Sequence, residues 1–132
     1  MKRQDLLVAD LMTTQLITIQ ASEPIKEARA DMEIGVIRHL PVVDDRGRLV
    51  GVVSDRDLIV TKRAAKVADV MTRNVITTRP DTPAFEAASM MLDNKISSVL
   101  VVNEDNKLVG MVTQTDYLEV ARRALLGLPL ER

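Results

Sequence analysis

The sequence predicts an α/β protein, α+β-like in its layering, made of two β-α-β-β-α units related by a pseudo-twofold axis. Three observations predict it. Residues 8–58 read again at 67–117 with a constant offset of 59, and 19 of those 51 aligned pairs are identical. Within each copy, short strand-like runs alternate with segments of helical periodicity. Each copy then closes on one pattern, Gly51-x-x-Ser54-x-x-Asp57 and Gly110-x-x-Thr113-x-x-Asp116. A chain built twice from one unit packs its copies face to face, because neither half buries its apolar surface well alone. The expected division is therefore residues 1–64 and 65–132, the second carrying a C-terminal helix, with function expected in the seam between them.

The elements follow in order. Leu16–Ile19 and Val75–Thr78 are short apolar and threonine-rich runs suited to strands. Ser22 and Asp81 are placed to N-cap the next helices, with Pro24 and Pro83 in the first turn, where a missing N–H costs nothing. Ile25, Ala28 and Met32 give the first of these helices a buried stripe, and Ala84, Ala87, Ala88 and Met91 give the second the same. Gly35 and Asn94 stand at the helix ends and suit a left-handed C-cap. Leu40–Val43 with Leu49–Val53, and Val99–Val102 with Leu108–Val112, read as hairpins around turns that end in Gly47 and Asn106. Pro41 is expected at a strand start or on a free edge, since it cannot donate to a ladder. The last helices start at Ser54 and Thr113, one running toward Lys66 and the other ending before Gly127. Lys62–Lys66 reads as a short, stiff hinge.

Composition narrows the function. With 18 Lys and Arg against 19 Asp and Glu, the net charge of -1 offers no basic field for nucleic acid. Cysteine is absent, which excludes disulfides and thiolate chemistry and suits the cytoplasm. The N-terminal segment lacks the long apolar core of a signal peptide, and no run reaches the length of a membrane span. No nucleophile elbow, lysine-containing phosphate loop or metal-ligand cluster is present, so no enzyme is expected. His39 is the only histidine, and the absence of cysteine leaves no dedicated zinc site.

The glycine-hydroxyl-aspartate pattern has two readings. Glycine at a strand end admits a ligand close to the backbone, a hydroxyl at a helix start suits a phosphate or carboxylate, and an aspartate one turn on can accept the hydroxyls of a ribose. Ser-x-x-Asp and Thr-x-x-Asp also fit a capping box, with the acidic residue reaching back to the N-cap amide. Thr18 and Thr77 are matched in the first strands, where threonine is common on structural grounds alone. Arg38-His39 faces Ser97-Ser98 in the alignment, so the cation and imidazole of one copy are hydroxyls in the other. The alternative for Arg38-His39 is a solvated strand entrance.

In the order and tandem repetition of these blocks the chain resembles a pair of CBS domains, the regulatory modules named after cystathionine beta-synthase. The likeness covers about residues 7–120. It rests on Val8–Thr13, Ile17-Thr18, Ile37–Asp44 and Gly51–Leu58, and on Asp69–Thr72, Ile76-Thr77, Ile96–Val102 and Gly110–Tyr117. The resemblance implies a cleft with two pseudo-symmetric pockets for AMP, ADP or ATP, with S-adenosylmethionine or NAD as alternatives. By the same resemblance Asp57 and Asp116 hold ribose hydroxyls, and Ser54 and Thr113 lie near ribose or phosphate. Thr18 and Thr77 line the base and ribose region, and Arg38 and His39 meet phosphates. Leu40, Pro41, Val99 and Leu100 pack around the base, and Ser97 and Ser98 replace the cations in the second pocket, where Lys95 could compensate. With twelve residues before Thr13 and fifteen after Tyr117, no catalytic domain is expected beside the pair. The expected partners are a second copy, through the C-terminal helices of each repeat, and an unidentified protein target. Leu58, Ile59, Leu118, Leu125 and Leu126 are the apolar residues in apparent excess there. A ligand-free dimerisation module and a weak nucleotide-processing enzyme are the rival readings.

Overall fold

The computed structural model describes residues 6–35, 37–59 and 65–130. The element order is α1 (Val8–Leu11), β1 (Ile19–Gln20), α2 (Ile25–Gly35), β2 (His39–Val43), β3 (Leu49–Ser54) and α3 (Asp55–Ile59). It then repeats as α4 (Val67–Val70), β4 (Thr77–Thr78), α5 (Ala84–Asn94), β5 (Ser98–Val102), β6 (Leu108–Thr113) and α6 (Gln114–Leu125). Each copy therefore carries the β-α-β-β-α unit behind a one-turn helix, which the strand and helix periodicities did not register. Its cause is an aspartate: Asp10 Oδ2 accepts the Leu7 amide at 2.8 Å and Asp69 Oδ2 accepts the Lys66 amide at 3.0 Å.

The residues group into two compact units. One, the first-repeat unit, holds the described residues within 17–75 with Asp105–Leu108; the other, the second-repeat unit, holds 6–16, 76–104 and 109–130. Within the first-repeat unit the sheet order is β1-β2-β3, with β1 parallel and β3 antiparallel to β2. Ile19, Ile25, Ala28, Met32, Leu40, Val42, Val53, Leu58 and Val67 form its core. Within the second-repeat unit the order is β4-β5-β6, and Leu6, Val8, Leu11, Ala84, Ala87, Met91, Val99, Val101 and Val112 form the core. In each unit a lead-in segment covers the outer strand of the sheet. Thr72 exchanges both backbone hydrogen bonds with Val52 (2.9 and 2.8 Å), and Thr13 does so with Met111 (2.8 and 3.0 Å).

Several local expectations are corrected by these long-range partners. The first strands are Ile19–Gln20 and Thr77–Thr78, shorter than expected and shifted toward their ends. Neither Ser22 nor Asp81 is an N-cap, and α2 and α5 begin just after Pro24 and Pro83. Their first amides go to distant carbonyls, Ile25 to Ala65 at 2.9 Å and Ala84 to Leu6 at 2.7 Å. The left-handed residue after α5 is Lys95 (φ 53°), one past Asn94, and Gly35 is not left-handed. Pro41 lies mid-strand in the central strand of its sheet, opposite Val52. It is tolerated because β1 pairs only with Val42 and Val43, and Val52 spends its backbone groups on Thr72. Leu58 is a core residue, 3% exposed, and not part of an outer face. The turn ends are as expected, with Gly47 at φ 80° and Asn106 at φ 62°. The hinge at Lys62-Arg63-Ala64 lies outside the described residues.

Candidate functional site

Each unit gathers its expected residues where the last helix leaves the hairpin. In the first-repeat unit, Ser54 ends β3 directly opposite His39, the first residue of β2. The Asp55 amide donates to the Arg38 carbonyl at 2.9 Å, so the Arg38-His39 entrance is tied to the start of α3. Ser54 and Asp57 complete a reciprocal cap. The Ser54 amide donates to Asp57 Oδ2 at 2.7 Å, and the Asp57 amide donates to Ser54 Oγ at 3.2 Å. Arg38 and His39 are exposed and Asp57 is half-buried.

The second-repeat unit repeats the arrangement with other chemistry. The Gln114 amide donates to the Ser97 carbonyl at 3.0 Å. Thr113 donates its amide to Asp116 Oδ2 at 2.8 Å and its hydroxyl to the same oxygen at 3.1 Å, while the Asp116 amide donates to Thr113 Oγ1 at 3.3 Å. Asp116 is only 5% exposed. The capping account of the Ser/Thr-x-x-Asp pattern is thus realised in both copies. Capping also pins each carboxylate, so the two readings are compatible. Next to Asp116, the half-buried Tyr117 donates its hydroxyl to the Ala84 carbonyl at 2.6 Å. Burial, and secondarily the Asp116 charge, pushes Tyr117 up to about 12.

The remaining candidates divide. Thr77 lies in β4 opposite Leu100, half-buried, whereas Thr18 is exposed and precedes β1 by one residue. Leu40 and Val99 are fully buried members of the two cores, so their side chains are committed to packing. Pro41 and Leu100 are buried outside those clusters. Ser98 is half-buried and Ser97 exposed, as is Lys95.

The pattern's glycines have an internal reason. A Cβ on Gly51 would meet the Thr72 carbonyl oxygen at 2.7 Å and the Met71 sulfur at 2.9 Å. On Gly110 it would meet the Met12 sulfur at 2.7 Å and the Thr13 carbonyl oxygen at 3.1 Å. What lies where a Cβ would stand on these glycines is the Met-Thr segment of the chain itself. The sequence signal for this contact is the repetition of the methionine in Asp10-Leu11-Met12-Thr13 and Asp69-Val70-Met71-Thr72. Among the described residues, no group of three or more acidic or histidine side chains could hold a metal ion, and no helix is long and apolar enough to cross a membrane.

Known proteins share this fold. The structure is similar to that of CBSX2 from Arabidopsis thaliana in complex with AMP, at a TM-score of 0.83 and 29% identity over 91% of this chain and 98% of that one. It is similar to the cytosolic domain of the magnesium channel MgtE in complex with ATP, at a TM-score of 0.76 and 36% identity over 83% and 46% of the two chains. A CBS-domain pair in complex with 5′-methylthioadenosine and S-adenosyl-L-methionine matches at a TM-score of 0.75 and 34% identity, over 87% and 98%. The first curated relatives are much longer proteins. The chain spans 23% of a homoserine O-acetyltransferase from Methanococcoides burtonii, 39% identical over 111 residues that make up 83% of this chain. The CBS-domain family model matches residues 8–62 and again 67–123, the same two copies that carry the paired caps, and the chain belongs to that family as a tandem CBS-domain pair.

Proposed function

We propose that the chain is a regulatory, non-enzymatic ligand-sensing module that binds adenosine nucleotides (AMP, ADP or ATP) at its two Ser/Thr-Asp sites. It works in the cytoplasm as a homodimer through the C-terminal helices of its repeats, 1–64 and 65–132, and acts on a protein target. The observation that carries this reading is the duplicated cap. In each unit a single aspartate, Asp57 or Asp116, is fixed by its own helix start beside the entrance of the neighbouring strand. A carboxylate held in one orientation suits a vicinal diol, since it accepts two hydrogen bonds without first losing side-chain freedom. Similar structures hold AMP, ATP, or 5′-methylthioadenosine with S-adenosyl-L-methionine, and all of these ligands carry a ribose.

The two sites differ in charge. Arg38 and His39 beside Asp57 favour a phosphorylated ligand, whereas Ser97 and Ser98 beside Asp116 favour a nucleoside or a thionucleoside. A thermal-shift panel of AMP, ADP, ATP, NAD and S-adenosylmethionine tests the reading. At least one should raise the melting temperature in a concentration-dependent way, because a ligand of the native state stabilises by mass action. A flat panel at millimolar ligand would leave the capping account alone standing. Replacing Arg38 and His39 by serine should narrow the preference for AMP over adenosine.

A further inference from the structure

In each unit the residue that follows the site aspartate is tied by one side-chain hydrogen bond to the long helix earlier in the copy. Leu58 and Tyr117 occupy the same place in the two copies, directly after Asp57 and Asp116. In the first-repeat unit, Arg29 Nη2 on α2 donates to the Leu58 carbonyl at 2.8 Å. In the second-repeat unit the direction is reversed, and the Tyr117 hydroxyl donates to the Ala84 carbonyl of α5 at 2.6 Å. Neither unit can make the other's bond. Ala88 stands where Arg29 would be repeated, and Leu58 has no hydroxyl. The same link is thus built twice from unlike chemistry. Both anchors are themselves held. The Ala84 amide donates to the Leu6 carbonyl at 2.7 Å, and Ala28, beside Arg29, is fully buried in the core of its unit.

We infer that Arg29 and Tyr117 are positioning residues: each fixes the rotation of the helix that presents Asp57 or Asp116, and through it the aim of the carboxylate. This rests on the ligand role proposed above for the two aspartates and adds what holds them. Successive residues of a helix project about 100° apart, so pinning residue 58 or 117 sets the direction of the residue before it. The caps alone hold only the first turn, through the amides of Ser54 and Thr113. α3 as described, Asp55–Ile59, is little more than one turn, too short to keep its place by its own hydrogen bonds. Arg29 supplies a second fixed point, where a cation also suits the carbonyl end of a helix. α6 is twelve residues long and carries ion pairs from Glu119 to Arg122 and Arg123. There the Tyr117 hydroxyl adds a directional bond to the packing against α5. Both bonds are partly shielded from water, which strengthens them.

Amide hydrogen exchange on the whole chain, followed by NMR without ligand, reads the aim of each carboxylate through the cap amide it accepts. The reference amides are Val52, bonded to Thr72, and Met111, bonded to Thr13, each in the same unit as the cap it is compared with. Arg29→Met should speed exchange at Ser54 about fivefold or more relative to Val52, and Arg29→Lys, which keeps a donor and a charge, should recover most of the protection. Tyr117→Phe should do the same at Thr113 relative to Met111. A loss of general stability would move cap and reference amides together, and that result, or an unmoved cap amide in either unit, would overturn the shared role. In the same variants AMP affinity should fall about threefold with Arg29→Met and return with Arg29→Lys. Faster Ser54 exchange with unchanged AMP affinity would overturn the positioning of the carboxylate for a ligand. Wild-type protein that binds no AMP would count against the ligand reading alone, and the exchange result would still decide whether Arg29 and Tyr117 hold the aspartates.

Discussion

The Thr72 carbonyl oxygen lies so close to Gly51 that a Cβ there would stand 2.7 Å from it. Val52, the next residue, exchanges both backbone hydrogen bonds with Thr72, so the carbonyl is held and cannot retreat. Gly51→Ala should therefore cost about 1–3 kcal/mol, the range for overpacking. Gly110→Ala should cost less, because its nearest neighbour is the flexible Met12 side chain. Urea unfolding of the two variants checks the order. Equal losses would mean that both segments yield alike.

Thr78 should be improvable. It is 5% exposed, its hydroxyl has no hydrogen-bond partner among the described residues, and its aligned counterpart is the core residue Ile19. A buried unmet hydroxyl costs roughly 1–3 kcal/mol, and valine keeps its shape. Thr78→Val should raise stability by about 1 kcal/mol in the same unfolding experiment. A loss would reveal a partner for the hydroxyl, such as a buried water.

Tyr117 predicts an alkaline weakness. Its phenol is pushed up to about 12 from an ordinary 10.0. The folded state therefore favours the neutral form. That contribution is whole below the unfolded value and is lost as pH rises through about 12. Tyr117→Phe should lose roughly 0.5–1.5 kcal/mol at neutral pH, the worth of its bond to Ala84, and should flatten the alkaline decline. An unchanged slope in the variant would assign that decline to other groups.

What was legible in the sequence was what local chemistry decides. Gly47 and Asn106 end their turns left-handed, and Ser54 with Asp57 and Thr113 with Asp116 cap their helices, because each involves residues within one turn. The misreadings share a different cause. Ser22 and Asp81 lose the helix starts to the carbonyls of Ala65 and Leu6, which lie 40 or more residues away in sequence. Pro41 survives inside a central strand only because β1 is two residues long and Thr72 takes up Val52. The packing of Met71 against Gly51 and of Met12 against Gly110 likewise joins residues far apart in sequence. The candidate site was legible as a set of residues, and the pairing of His39 with Ser54 needed the fold.

Capping and ligand binding should separate at the aspartates. Asp57→Asn and Asp116→Asn each keep a carbonyl oxygen for the N-cap amide but lose the charge. Stability should fall by no more than the ~0.5–2 kcal/mol a whole cap is worth. Binding at the altered site should weaken by about 1.5–3 kcal/mol, the worth of hydrogen bonds to a charged group. Reduced melting with unchanged affinity would restrict both aspartates to capping.

The proposed nucleotide binding runs through these aspartates. Calorimetric titration of AMP into the wild-type protein and into the Asp57→Asn/Asp116→Asn double variant tests it most directly. The wild type should give a saturable heat, and a double variant that remains folded should bind at least about tenfold more weakly. Equal affinity in the two proteins, or no heat with the wild type at millimolar AMP, would contradict it.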